Sequence, residues 1–441
     1  MPVEVFQEHK SWPLRVRAAK PTPNADVRTI RVGLLGLGRV GQAVARLASD
    51  RGATAQAGIR FHVEQALVRD AAKARRCPKP GRITTDSAAF LRGNYDVVVD
   101  ALDAVEPART LVARLLNRGT SVVTANKALV AEHGAHLEAL AADHGASFRF
   151  EATALSAVPF LGTLAVRPLV ASVERVIAIV NGTSNFLLSS LAEGVPFDAA
   201  LARAQELGFA EPDPSRDVDG FDAADKLRLL TLLFGWGRLS RESLDVRGVR
   251  GITPDDLTAA RSVGGTIKPL VFAQRDDAGV QAFVGPAFIP ASDPLAALGG
   301  SLNGIRLDGR HVSNLFFSGP GAGPDVTAAT LLDDVAQAAS PVGVIARRRH
   351  HRPPAASRPV FASSPATRWF VRVTFPGIVP ARQALAAVVA SAGLYVDGVC
   401  DYASEHSRWL IAGPHGRRDL DAALSRLETT HRIQSAAFRR I

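Results

Sequence analysis

The sequence predicts an α/β chain of three units: a parallel, doubly wound domain, a mixed α/β domain, and a small βαββαβ module at the C-terminal end. Three observations predict this. Strand-like and helix-like patterns alternate from Ile30 to Glu151, and the strand DVVVD at 96–100 is apolar on both faces, as strands of parallel sheets are. Beyond Glu151 the alternation gives way to polar turns and one very acidic stretch. After a basic, proline-containing segment, residues 368–441 run strand, helix, strand, strand, helix, strand, the ferredoxin-like order of many small regulatory modules.

A length of 441 residues suits two or three domains, and 47% hydrophobic with 21% charged residues is ordinary for a globular protein. Two cysteines, Cys77 and Cys400, exclude a disulfide framework and a cysteine-rich zinc site, and fit a reducing compartment. The first residues lack the apolar core of a signal peptide, and no apolar run is long enough to span a membrane. The expectation is a cytoplasmic protein with no membrane partner. A net charge of +10 raises nucleic acid as a partner. The one dense basic cluster, Arg347 to Arg352, has no interleaved aromatics and is followed by Pro353 and Pro354, so it reads as a solvated linker.

Taken in order, residues 1–28 read as an extension. Ile30 to Leu35 is a strand that runs into Gly36-Leu37-Gly38-Arg39-Val40-Gly41 and then an apolar helix through Val44 and Leu47. Strand, GxGxxG turn and helix in this order form the dinucleotide-binding unit of a Rossmann domain. Gly36 permits the tight turn, Gly38 lets backbone approach a pyrophosphate, Gly41 lets helix and strand pack closely, and the helix N-terminus at Arg39 and Val40 offers N–H groups to phosphate. The second strand, Glu64 to Val68, ends in Arg69, with Lys73, Arg75 and Arg76 following. A cationic loop here suits the 2′-phosphate of NADP, while Asp70 keeps NAD open as the ribose partner. After the DVVVD strand come a helix (Pro107 to Asn117) and a strand (Ser121 to Thr124) ending in Thr124-Ala125-Asn126-Lys127. Ligands of such sheets sit outside the carboxyl ends of the strands, which directs Lys127 to the cofactor's reactive end. A helix (Leu129 to His144) and a strand (Ser147 to Glu151) extend the sheet.

In the second unit a strand, Ser172 to Val180, meets the turn Asn181-Gly182-Thr183-Ser184-Asn185. The stretch 208–226, GFAEPDPSRDVDGFDAADK, follows. Pro212 and Pro214 push Glu211 and Asp213 into extended conformations. Asp219 reads as the N-cap of the helix that begins at Phe221, and Asp222 and Lys226 lie one turn apart on its face. So many carboxylates around one lysine suggest a cationic ligand group. Ala282 to Ile289 is a strand, and a second glycine-rich turn, Gly319-Pro320-Gly321-Ala322-Gly323, precedes a helix from near Thr327. The basic segment before the C-terminal module predicts weak coupling of that module to the rest.

These separated motifs together resemble homoserine dehydrogenases: GLGRVG, TANK (124–127), EAT (151–153), NGTSN (181–185), GFAEPDPSRDVDGFDAADKL (208–227) and GPGAGPDVTAA (319–329). The resemblance covers about residues 29 to 340. It implies reduction of L-aspartate 4-semialdehyde to L-homoserine with NAD(P)H, on the way to threonine, methionine and isoleucine. It implies a Rossmann domain at 29–151 completed by 321–340, a substrate-binding and dimerisation domain at 152–320, a linker at 341–367, and a degenerate ACT-type module at 368–441. A homodimer or higher homo-oligomer is implied as well. Lys127 and Lys226 fall on the family's catalytic lysines, and Glu211, Asp217 and Asp222 on its substrate carboxylates. Gly182 and Thr183 fall on the substrate turn. The cofactor set becomes Gly36, Gly38, Arg39, Val40, Gly41, Arg69, Lys73, Thr124, Lys127, Gly321 and Gly323. A monovalent cation such as Na+ would fall on Glu151 and the carbonyls of Ala154, Ser156 and Val158. Two loops depart from the pattern, Asp100 to Ala104 and Ala154 to Val158, and leave room for a paralogue acting on a related amino-acid semialdehyde.

The residues also speak to chemistry directly. Hydride transfer to an aldehyde builds charge on oxygen, which needs a proton or a positive field. Lys226, kept charged by Asp222, suits the donor, and Lys127 a positioning and field role. Glu211 and Asp217 suit a substrate ammonium. A non-catalytic cofactor-binding regulator is the reading from another class, and the intact charged set argues against it.

Overall fold

A computed structural model of the chain describes residues 27–52, 58–73, 75–167, 172–240, 242, 244–277, 279–321, 323–340, 366–377 and 379–441. The expected N-terminal extension and basic linker therefore lie almost wholly outside the described residues, as does Ala322.

The first sheet is parallel and holds β1 (Arg28–Leu35), β2 (Ile59–Leu67), β3 (Arg82–Thr84), β4 (Val97–Asp100), β5 (Ser121–Thr124) and β6 (Phe148–Arg149) in the order β3-β2-β1-β4-β5-β6. This is the doubly wound dinucleotide-binding order, with the switch point between β1 and β4. Its core sets Val32, Leu34, Val97 and Val99 against Ala43 and Val44 of the helix Arg39–Ser49. Leu331 and Val335, from the helix Pro324–Ala338, complete that core from far along the chain. That helix starts at Pro324, three residues before Thr327, because proline is well placed in a first helical turn, where no N–H is needed. The second strand is longer than its apolar end suggests, since Ile59 to Val63 also pair with β1, with a bulge at Glu64.

The second sheet runs β12-β11-β7-β9-β10-β16-β13-β15-β14, with β8 also on β10. Its members from the middle of the chain are β7 (Val173–Ile179), β8 (Asp245–Val246), β9 (Gly265–Asp276), β10 (Gly279–Pro290), β11 (Leu302–Gly309) and β12 (Leu315–Pro320). Those from the C-terminal end are β13 (Thr367–Thr374), β14 (Val396–Ala403), β15 (Ser407–His415) and β16 (Gln434–Arg440). The last four strands, with the helices Arg382–Ser391 and Arg417–His431 between them, keep the expected βαββαβ order.

Weak coupling of this C-terminal unit is not what the structure shows. β16 pairs in parallel with β10, Ala287 against Arg439, and the Ile441 N–H donates to Phe288 O at 3.0 Å. Phe370 packs, tilted, between Phe288 and Phe438, at centroid distances of 5.4 and 6.2 Å. The sheet therefore crosses the junction without a break, and these side chains set the seam.

Candidate active site

The acidic stretch folds into a short helix, Ser215–Val218, and a longer one, Phe221–Leu233. Asp219 is not the N-cap of the longer helix. Gly220 is, in a left-handed conformation at φ +84°, with no side-chain cap. A Cβ at Gly220 would also come within 3.0 Å of the Arg247 carbonyl. Asp219 closes the preceding short helix instead and pairs with Arg250 at 2.6 Å. The sharp reversal at Gly220 turns Asp222 and Lys226 inward.

Asp222 is the centre of the cluster. Lys127 Nζ lies 2.6 Å from its Oδ1, and Lys226 Nζ lies 2.9 Å from its Oδ2. Lys127 is the first residue of the helix Lys127–Asp143, directly after β5, so the pair joins the carboxyl edge of the parallel sheet to the middle unit. Burial pushes the Asp222 carboxyl upward, but the two ammonium groups outweigh it and hold the group well below the usual carboxylate range. Lys226 departs from expectation. Its burial outweighs the pull of Asp222, and its pKa is lowered, with the Lys127 charge adding to that direction. Two of its three N–H donors are accounted for, by Asp222 and by Val180 O at 2.6 Å.

The NGTSN turn closes the other side. Asn181 Nδ2 donates to Asp217 Oδ1 at 2.7 Å and Asp222 Oδ2 at 3.1 Å, while its Oδ1 caps the helix Gly182–Ala192 through Ser184 N. The Thr183 hydroxyl reaches Phe209 O at 2.6 Å and Asp217 Oδ2 at 3.3 Å. Gly182 could carry no side chain, because a Cβ would stand 2.8 Å from Ser301 O. Direct hydrogen bonds and ion pairs thus bring together Lys127, Asn181, Thr183, Asp217, Asp222 and Lys226. Glu211 stands apart from them on the exposed loop, where its backbone carbonyl accepts from Gln205. Asn181 was missed as a site residue; the sequence signal for it was its place at the end of a strand, before a helix.

The glycine turn after β1 lies at the carboxyl edge of the parallel sheet. Gly36 is left-handed at φ +89°, and a Cβ on Gly41 would meet Gly36 O at 2.3 Å. At Gly38 a Cβ would meet nothing within 4 Å, so space opens outward at the helix N-terminus. Arg39 and Val40 begin that helix. The loop after β2 is tied to it by Arg76 N, which donates to Gln42 Oε1 at 2.8 Å. Arg69 and Lys73 are exposed there, and Arg75 folds onto the carbonyls of Asp70 and Lys73. At the second glycine turn, a Cβ on Gly321 would lie 2.6 Å from Asn303, and Gly323 sits at φ +134° just before the helix Pro324–Ala338.

Glu151 is buried at 8% exposure and accepts from Phe160 N and Leu161 N on one oxygen and Gly162 N on the other. Burial moves its carboxyl up to about 7, against these N–H groups and with the help of the neighbouring Asp334 charge. Ser156 O accepts from Thr330 Oγ1 at 2.8 Å, and Val158 O from Phe160 N at 3.0 Å. Ala154 lies buried in the helix Ala152–Leu155. In this arrangement Glu151 closes the start of the helix Leu161–Ala165.

Comparison with known proteins accords with this geometry. The family model for the homoserine dehydrogenase NAD-binding domain matches residues 36–151, and the homoserine dehydrogenase model matches 159–336. The Bacillus subtilis homoserine dehydrogenase is 34% identical over 314 residues, covering 70% of this chain and 72% of its own. The Mycobacterium tuberculosis enzyme is 36% identical over 324 residues, covering 71% and 73%. The crystal structure of a homoserine dehydrogenase from Thiobacillus denitrificans superposes with a TM-score of 0.78 at 29% identity, over 94% of this chain and 98% of that one. A nicotinamide-binding parallel sheet, a lysine–carboxylate cluster at its carboxyl edge and these matches lead to one conclusion: the chain belongs to the homoserine dehydrogenase family, NAD(P)-dependent oxidoreductases acting on a CH–OH group.

Proposed function

We propose that the chain interconverts L-aspartate 4-semialdehyde and L-homoserine with a preference for NADP(H), in the biosynthesis of threonine, methionine and isoleucine. The observation that carries the reading is Asp222 held between two lysines, 2.6 and 2.9 Å away, beside the edge of the cofactor sheet. The cofactor, when bound at the glycine turn, supplies or accepts the hydride. Lys226 gives its proton to the oxygen of the new alcohol, directly or through water, and takes it back in the oxidative direction. The downward direction of its pKa suits that exchange, since desolvation makes the ammonium readier to release a proton. Lys127 adds positive field and positioning, and Asp222 orients both ammonium groups. Asp217, oriented by Asn181 and Thr183, holds the substrate ammonium, with Glu211 as a second carboxylate for it.

Exposed Arg69 and Lys73 beside the dinucleotide turn support the NADP preference, through charge-assisted bonds to a 2′-phosphate. We assign residues 29–151 with 321–340 to cofactor binding, 152–320 to substrate binding and assembly as a homodimer or higher oligomer, and the C-terminal unit to an ACT-type module whose role here is packing. The decisive experiment is oxidation of L-homoserine by the purified protein with NADP, compared with NAD and with other hydroxy-amino acids. Faster turnover of another hydroxy-amino acid would replace the substrate assignment.

A further inference from the structure

Asp100, at the carboxyl end of β4, is fully buried and has no place in the chemistry above. Its Oδ2 accepts from Thr124 Oγ1 at 2.8 Å, and its Oδ1 from Leu102 N at 3.1 Å. Thr124 Oγ1 in turn accepts from Asn126 N at 2.9 Å. Asn126 then caps the next helix, its Oδ1 taking Leu129 N at 3.0 Å, while its Nδ2 donates to Ala104 O at 2.9 Å. The Asp100 carbonyl also accepts from Ala125 N at 3.1 Å. Every residue from Thr124 to Asn126 is thus held by this network, and the next residue is Lys127. An ionised carboxylate only accepts and a backbone N–H only donates, so the Thr124 hydroxyl has one orientation between them. Burying a carboxylate for this is costly: desolvation pushes Asp100 up to about 6, against its two hydrogen bonds. Leu102 N could be satisfied by a neutral side chain, whereas fixing the direction of the Thr124 hydroxyl needs a group that only accepts.

We propose that Asp100 is a positioning residue that acts through Thr124 and Asn126 to set the start of the helix carrying Lys127, and so the placement of the Lys127 ammonium against Asp222. This rests on the catalytic reading of Lys127. An amide at position 100 can present N–H to the Thr124 oxygen, which removes the fixed direction without removing bulk. Misplacing a reacting group by about 1 Å can cost up to ~10²-fold in rate.

The test measures kcat for L-homoserine oxidation and cofactor affinity by fluorescence, in the full chain and in Asp100→Asn, Thr124→Val, Lys127→Ala and Asp100→Asn/Lys127→Ala. The expectation is a kcat about 10-fold lower in Asp100→Asn and in Thr124→Val, and no further loss when Asp100→Asn is added to Lys127→Ala. Cofactor affinity is measured beside kcat because Ala101 and Leu102, next to Asp100, pack against Gly36 of the glycine turn, so kcat is compared at saturating cofactor in every variant. Losses that multiply in the double variant would show that Asp100 does not act through Lys127 and would overturn the proposal. So would a kcat within about twofold of the parent in Asp100→Asn. Where Asp100→Asn fails to fold, Thr124→Val alone decides by the same threshold. An unchanged kcat in Lys127→Ala would bring down the catalytic reading of that lysine, and the proposal with it, and is recognisable as that failure.

Discussion

Arg372 Nη1 lies 2.5 Å from Asp256 Oδ2, a carboxylate with no solvent exposure. Asp256 also stands at the third helical position, in the capping box that starts the helix Pro254–Ser262, and its other oxygen accepts from Trp409 Nε1 at 2.8 Å. One carboxylate therefore serves a helix of the middle unit and two strands of the C-terminal unit. Burial raises its pKa, and Arg372 is the main force opposing that rise. Removing one partner of a buried pair leaves a charge in low dielectric, at about 3–5 kcal/mol. Arg372→Met should lose about that much stability in urea unfolding, with Asp256→Asn/Arg372→Met recovering part of it. Ending the chain before β13 should do worse, since it also bares the edge of β10. An unchanged unfolding midpoint in the shortened protein would refute this view of the seam.

Lys226→Ala should lower kcat by about two orders of magnitude or more. The protein should stay folded, because Asp222 keeps Lys127 as a partner at 2.6 Å. Cofactor affinity should be close to that of the parent, since the lysine lies outside the glycine turn. Near-parental kcat in folded Lys226→Ala protein would remove Lys226 from the proton-transfer step.

The parallel sheet and the charged cluster were legible because each rests on local signals: β-branched runs, glycines at a fixed spacing, and an acidic turn before an apolar helix. β9 was not. Lys268 and Pro269 interrupt its apolar pattern, and proline ordinarily argues against a central strand; here Pro269 lies opposite Pro286 of β10, so both occupy one cross-strand pair. β3 was missed because three residues, Arg82 to Thr84, carry too little pattern. Asp219 was misplaced because Asp at a turn is a good cap by type, and only the path of the chain shows that Gly220 does the turning. The tie between Arg372 and Asp256 spans 116 residues and has no local signature.

Cofactor choice should follow the loop after β2. Arg69→Ala or Lys73→Ala should lower kcat/KM with NADP by about 10-fold or more and leave NAD little changed, since a 2′-phosphate needs charge-assisted donors that NAD does not use. Steady-state kinetics with both cofactors gives the ratio. Equal losses with NAD and NADP would make the loop a structural element only.

The last prediction concerns Lys268, which is 6% exposed on β9 and donates to Leu298 O at 2.7 Å. Asn185 Nδ2 reaches the same carbonyl at 3.2 Å, so the acceptor keeps a donor without the lysine. Burial alone brings the Lys268 ammonium down to about 8. In the unfolded chain a lysine titrates near ~10.4. Between those values the native protein holds fewer protons than the unfolded one, so stability from this group rises with pH across that window. Below about 8 the full cost of burying the charge is present. Lys268→Met should therefore be more stable than the parent near neutral pH, by on the order of 1–3 kcal/mol. The advantage should shrink as pH climbs from 8 towards 10. Unfolding curves in urea at pH 7, 8.5 and 9.5 for both proteins measure it, and other titrating groups cancel in the difference. Parallel stability profiles would mean that Lys268 is neutral at all three values or finds its charge compensated, and the predicted window would not exist.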